Sequence, residues 1–203
     1  MVALVAIMGS PHRRGNTEKL LDQFISGAEN AGAEVHKIIL SDLDIHPCKG
    51  CNACHKTGSC ILHDDATTLF DLINTTNGLI IASPVFTMSV PAQVKGFIDR
   101  AHYIWARRFV LHSETLPKEY KSSHYAWFFS TAGMNVKTRP DLFDAMVPIF
   151  NALFNNLGYT QKPGIYADAM DEYGGIEGRP ELLEQAYQYG QKGVQELLTH
   201  GNN

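Results

Sequence analysis

Val2-Ala3-Leu4-Val5-Ala6-Ile7-Met8 runs straight into Gly9-Ser10-Pro11-His12-Arg13-Arg14-Gly15-Asn16-Thr17, and this junction decides the fold. An apolar run of strand length ends in a polar turn, after which apolar residues recur at helical spacing. Backbone N–H groups at a helix start are unpaired and carry the positive end of the helix dipole, so the turn suits a phosphate. A Walker A loop does not fit. The glycines stand one residue further apart than G-x4-G-K-[ST] allows, and Asn16 occupies the lysine position. No G-x-G-x-x-G fingerprint follows the strand either. What remains is a loop for a single phosphate group, or the plainer alternative of a helix-cap turn with surface arginines.

Working outward, Leu20, Leu21, Phe24, Ile25 and Ala28 share one helix face, with Asn16 or Thr17 as cap and an end near Gly32. Residues 34–40 read as a second strand, which completes a β-α-β unit. A cysteine loop at about 46–62 follows, and Asp64-Asp65 caps a helix carrying Leu69, Phe70, Leu72 and Ile73. Residues 78–83 form a short apolar strand of the kind buried on both faces, and Pro91 opens a third helix through Val94, Phe97 and Ile98. A fourth strand over 125–129 ends in the loop 130–134, and Leu142 to Leu157 marks a fourth helix stopped at Gly158. A fifth strand within 159–167 is demoted to the sheet edge by Pro163 and Gly164. An acidic, glycine-rich loop over 168–179 precedes a last helix, and the final three residues are expected to fray.

Alternating strands and helices give one α/β domain over residues 1–203, a doubly wound five-stranded parallel sheet with helices on both faces. Ligands of such sheets sit beyond the carboxyl ends of the strands, where the strand order reverses. That gathers the loops after strands one, three and four: a phosphate loop facing walls that suit a flat, polar-edged ring.

Composition narrows the function. With 44% hydrophobic and 19% charged residues the chain reads as globular, and its net charge of -4 argues against nucleic acid as a partner. The first apolar run is seven residues long and lacks a basic leader, so it reads as neither signal peptide nor membrane span, and a cytoplasmic location is expected. All four cysteines, Cys48, Cys51, Cys54 and Cys60, fall within thirteen residues. A disulfide framework would spread them, so a metal or redox site is expected first. Asp99 and Arg100 read as a surface or interface pair. Trp105, Arg107 and Arg108 read as solvated surface, with a nicotinamide phosphate or a partner protein as the alternative.

Three motifs together resemble the NADPH-dependent FMN reductases of flavodoxin-like fold, and within them the iron-sulfur flavoproteins. They are Gly9-Ser10-Pro11 with Gly15-Asn16-Thr17, the cysteine loop ending in Asp64-Asp65, and Ser83-Pro84-Val85-Phe86 leading to Lys95-Gly96-Phe97-Ile98-Asp99-Arg100. The resemblance implies FMN, its phosphate held by Ser10, Asn16, Thr17 and backbone N–H groups. Its ring would lie against Pro84, Val85, Phe86 and Thr87, closed by Thr131, Ala132 and Gly133. Family members often carry Arg-Lys where His12-Arg13 stands, so either residue is a candidate for the phosphate's cation. Many have Tyr at the position of Phe86, whose plainer role is in the core.

Cys48-x2-Cys51-x2-Cys54-x5-Cys60 resembles the motif whose four thiolates ligate one [4Fe-4S] cluster in iron-sulfur flavoproteins. Two-residue gaps let a loop wrap a small anionic body, and Gly50 and Gly58 ease the turns. Zinc, free thiols and a redox disulfide stay open beside it. The implied activity is an oxidoreductase moving electrons from NAD(P)H or a reduced carrier through FMN to a quinone, flavin or other acceptor. No catalytic side-chain acid or base is required. A flavodoxin-like electron carrier and a non-redox phosphate-ligand binding domain are the alternatives. The resemblance also implies a homo-oligomer.

Overall fold

The computed structural model describes residues 1–117 and 120–200; residues 201–203, where fraying is expected, lie outside them. Six strands are present among the described residues: β1 (Ala3–Met8), β2 (Glu34–Ile39), β3 (Gly78–Pro84), β4 (Tyr125–Thr131), β5 (Thr160–Gln161) and β6 (Ile165–Ala167). All pair in parallel, in the order β2-β1-β3-β4-β5, with β6 also on β4. The strands richest in apolar residues, β1, β3 and β4, lie in the middle and are buried along nearly their whole length. Covering helices on both faces require this.

The helices are α1 (Asn16–Asn30), the single turn α2 (Cys54–Thr57), α3 (Asp65–Asn74), α4 (Ala92–Arg100), the short α5 (His102–Trp105) continued by a π turn over Ala106–Val110, α6 (Tyr120–Ser123), α7 (Val147–Leu157) and α8 (Pro180–His200). Side chains of successive strand residues point to opposite faces, and this alternation divides the core in two. Leu4, Ala6, Met8, Ile80, Trp127 and Phe129 pack with Leu20 and Phe24 of α1 and with Ala186 and Val194 of α8. Val5, Ile7, Leu79, Ile81 and Phe128 pack with Phe70, Val94, Phe97, Phe150 and Phe154.

Several boundaries differ from the sequence reading for local reasons. Gly15, rather than Asn16 or Thr17, is the N-cap of α1 and supplies no side-chain acceptor. The helix expected from Leu142 begins at Val147, with Pro148 in its first turn; a proline needs no N–H partner there and sets the start. Leu142 and Met146 are nonetheless fully buried from the preceding turns. β4 continues through Ser130 and Thr131, where the sequence alone predicts a loop. They pair with Ser83 and Pro84, and the buried Ser130 hydroxyl donates to the Ser83 carbonyl at 2.9 Å. The expected fifth strand is split into β5 and β6 at Lys162-Pro163-Gly164, where a proline cannot donate to a ladder.

Candidate functional site

Strand order reverses at β1, whose neighbours are β2 and β3, and the loops beyond the carboxyl ends of β1, β3 and β4 meet there. The loop after β1 is held tightly. Gly9 N–H donates to the Ala82 carbonyl at 2.7 Å, and a Cβ on Gly9 would lie 2.7 Å from the Val94 side chain. Ser10 is buried, and its hydroxyl accepts the His12 N–H at 3.1 Å, which folds the turn back on itself. With no side chain capping α1, its first N–H groups are left for a ligand.

One pocket is walled by Ser10, His12, Gly15, Asn16 and Thr17 from the first loop, Pro84, Val85 and Phe86 from the second, and Thr131, Ala132 and Gly133 from the third. Thr17 Oγ1 and Thr131 Oγ1 share a hydrogen bond of 2.7 Å across it. Phe86 is 46% exposed, in a tight hairpin that pairs it with Ser89, so its ring is not core. Thr87 sits at the hairpin's tip with φ +48°, and it is not part of the wall. Arg13 is not part of it either. Its guanidinium reaches Glu18 at 3.4 Å and Asp42 at 3.5 Å.

Met170 and Asp171, which the sequence reading placed only in a generic acidic loop, complete the wall. Asp171 N–H donates to the Gly133 carbonyl at 3.3 Å, and its carboxylate fills the space a Gly133 side chain would need. The neighbouring turn docks on α1: Asn16 Oδ1 accepts the Ile176 N–H at 3.0 Å, leaving its amide NH2 for a ligand. Only the position of this loop after the last strand, at the same sheet end, could have flagged it.

Below the loop, Glu18 is buried against Lys37 at 2.8 Å and accepts the Arg14 N–H at 2.5 Å. Burial raises its pKa, but the bonds to Lys37, Arg14 and Arg13 outweigh that and hold it at about 2, below its ordinary 4.5. A folded-state pKa below the unfolded one stabilises the fold at pH above the unfolded value, and the effect is lost as pH falls through the folded value. Glu18→Gln is therefore expected to be less stable than wild type above pH 4.5, with the gap closing between 4.5 and about 2. Thermal melts across that range check it; a gap independent of pH would sink it.

The four cysteines line a second pocket, together with Arg100, His102 and Tyr103. Cys48 and Cys51 are exposed, Cys60 half-buried and Cys54 buried. Burial pushes the Cys54 thiol up, and the neighbouring Cys48, Cys51 and Cys60 add to this. Cys54 also brings its sulfur within 4.8 Å of ring nitrogens of His55 and His102, a trio that gives the zinc alternative a definite place.

Arg100 clasps the loop that carries these cysteines. It does not pair with Asp99, which takes Lys95 at 2.6 Å. Its buried guanidinium instead donates to the His46 carbonyl at 2.9 Å, the Leu62 carbonyl at 3.1 Å and Asp64 Oδ2 at 2.5 Å, so both ends of the loop meet on one side chain. Asp64 meanwhile caps α3 through Ala66 N–H and accepts His46 N–H. Arg107 and Arg108 are not simply solvated: Arg107 donates to the Gly58 carbonyl at 2.8 Å, and Arg108 satisfies the last carbonyls of α7 at Asn155 and Leu157.

Two buried donors in the cysteine pocket have no partner among the described residues: Arg100 Nε and the Tyr103 hydroxyl. Burial pushes the Tyr103 pKa up to about 12, so it is a neutral donor at ordinary pH. An unpaired buried donor costs about 1–3 kcal/mol, so two beside four thiols suit an acceptor-rich, anionic occupant. The residues present thus fit an iron–sulfur cluster.

An iron-sulfur flavoprotein of Archaeoglobus fulgidus is 43% identical over 96 residues, 47% of this chain and 44% of that protein. One of Methanosarcina thermophila is 30% identical over 111 residues, 55% of this chain and 58% of that protein. The chain thus spans about half the length of the curated relatives it matches. The solved azoreductase of Bacillus anthracis superposes with a TM-score of 0.70 at 13% identity, covering 95% of this chain and all of that one, a likeness of fold. No helix among the described residues is long and apolar enough to cross a membrane. The profile described as NADPH-dependent FMN reductase matches residues 2–133, and the chain belongs to that family.

Proposed function

We propose that this chain is a single-domain FMN-dependent NAD(P)H oxidoreductase of the iron-sulfur flavoprotein type, with FMN in the pocket at the end of β1, β3 and β4 and a [4Fe-4S] cluster on Cys48, Cys51, Cys54 and Cys60. The observation that carries the flavin reading is the meeting of an uncapped helix start, buried hydroxyls and an exposed aromatic ring around one pocket at the strand-order reversal. When bound, FMN supplies the hydride-accepting and electron-releasing chemistry. Ser10, Asn16, Thr17 and the first N–H groups of α1 would hold its phosphate, with the His12 ring in the same wall and Arg13 outside it. Pro84, Val85 and Phe86 would shield one side of the ring from water, and Ala132 and Gly133 would offer it backbone groups. The cluster reading is supported by the four thiols and the two unpartnered donors of the second pocket.

An anaerobic preparation examined by visible absorption, with iron and acid-labile sulfide assays, tests both cofactors. A flavin spectrum without iron and sulfide removes the cluster and leaves FMN. Steady NAD(P)H oxidation with a soluble quinone or flavin acceptor supports the enzyme, whereas reduction only by a partner protein supports an electron carrier. Asn16→Ala is expected to weaken FMN at least tenfold, about 1.4 kcal/mol, with little effect on riboflavin. Equal losses for both ligands would assign Asn16 to holding the Ile176 turn instead of the phosphate.

A further inference from the structure

A buried hydrogen-bond donor without a partner needs a reason, and the cysteine pocket contains two on one side. Tyr103 and Arg100 are 5% and 2% exposed, so water does not readily explain either. The Tyr103 ring is well packed, edge-on to Phe70 at 5.8 Å and under the Arg107 guanidinium at 4.9 Å, which fixes the ring and with it the hydroxyl. Arg100 is equally fixed: three of its five N–H groups go to Asp64 and to the carbonyls of His46 and Leu62, and the buried Nε–H has no hydrogen-bond partner among the described residues. Neither donor is needed for the fold. A phenylalanine would pack the same surface as Tyr103, and the clasp uses only the far end of Arg100.

We propose that the Tyr103 hydroxyl and Arg100 Nε–H donate hydrogen bonds to the sulfurs of the group held by the four cysteines, and that they raise its reduction potential. The inference rests on the cluster reading above and adds to it which residues set the cluster's redox poise. Reduction adds one electron, delivered by the reduced flavin, and no covalent bond forms or breaks. The electron increases the negative charge on the sulfurs, so a donor aimed at them stabilises the reduced state more than the oxidised one. The direction follows: each donor makes the cluster easier to reduce and favours electron flow out of the flavin. Tyr103 and Arg100 act as tuning residues, not ligands; Tyr103 is dispensable for assembly, whereas Arg100 also holds the loop that carries the cysteines.

The test is a mediated redox titration of reconstituted wild type, Tyr103→Phe and Arg100→Lys, followed by the cluster's absorption and electron paramagnetic resonance, with iron and sulfide counted in each. Tyr103→Phe is expected to keep full iron and sulfide and to lower the cluster potential by a factor of ten in the reduction equilibrium, about 59 mV for one electron. The flavin potential should stay in place. Arg100→Lys keeps the charge but loses both Nε–H and the clasp bonds to His46, Leu62 and Asp64, so a shift in the same direction counts only where iron and sulfide stay full. In the metal-free protein the sign of the stability effect differs: Phe removes an unpaired hydroxyl, so its Tm should equal or exceed that of wild type. A Tyr103→Phe protein with full iron and sulfide and an unshifted cluster potential overturns the inference alone. Wild type that takes up no iron and sulfide on anaerobic reconstitution overturns it together with the cluster reading.

Discussion

Gly190→Ala is expected to destabilise the protein by about 3 kcal/mol, the upper end of the usual cost of overpacking, although alanine is the better helix former. In an exposed helix the same change would gain about 1 kcal/mol. The sign reverses because α1 and α8 cross backbone to backbone at two glycines. A Cβ on Gly190 would press into the Phe24 carbonyl and lie 2.9 Å from the Ala28 nitrogen, and one on Gly27 would press into the Tyr187 carbonyl. These are backbone atoms inside helices, so no rotamer change relieves the overlap. The helices must separate, which opens the packing of Leu20, Phe24, Ala186 and Val194 under the sheet. For a chain of this size the loss corresponds to a fall in Tm of roughly 6 to 12 °C. A Tm at or above wild type would show that the helices can part cheaply.

Arg100→Met is expected to cost about 3–5 kcal/mol, the usual result of stranding one member of a buried ion pair. Arg100 and Asp64 side chains are 1% and 6% exposed. Burial raises the Asp64 pKa, yet the Arg100 bond, followed by the His46 N–H, holds it below the usual carboxylate range. The folded-state pKa is therefore depressed, and the pair's contribution is present above the unfolded Asp value and fades as pH falls through the folded one. Arg100→Met should thus differ most from wild type near neutrality and least in acid. Adding Asp64→Asn should recover part of the loss, because the stranded charge goes with it. The damage should also be local: limited proteolysis is expected to cut between His46 and Leu62, where the clasp has been removed. A variant that melts like wild type and resists cleavage there would show that the cysteine loop does not depend on this side chain.

The sheet is legible because its central strands β1, β3 and β4 are buried almost throughout and mostly apolar, a pattern that survives any uncertainty about turns. The pocket was legible to the extent that its residues lie next to strand ends: Ser10, Pro84 and Ala132 are placed by topology alone. Arg13 lies outside the pocket wall because a cation near a phosphate loop also answers to nearby carboxylates, and Glu18 and Asp42, five and 29 positions away, hold it. Asp171 was missed since nothing in an acidic, glycine-rich loop marks the residue that the third loop leaves room for at Gly133. Arg100 was misassigned to Asp99 by adjacency, although successive residues on a helix point in different directions. Its true partner, Asp64, lies 36 positions earlier. Long-range ion pairs leave no spacing signal, whereas strands and helix faces do.

The broken outer strand has a consequence for how copies of this protein can meet. β5 offers two residues and β6 three, with Pro163 between them, so that rim presents no continuous row of free N–H and C=O groups. On the opposite rim β2 carries Glu34, His36 and Lys37. Charged side chains and a short interrupted strand are the usual guards against sideways growth of a sheet. Two copies would therefore associate through helices and loops, leaving the strand ends that frame the pocket free to be shared or covered.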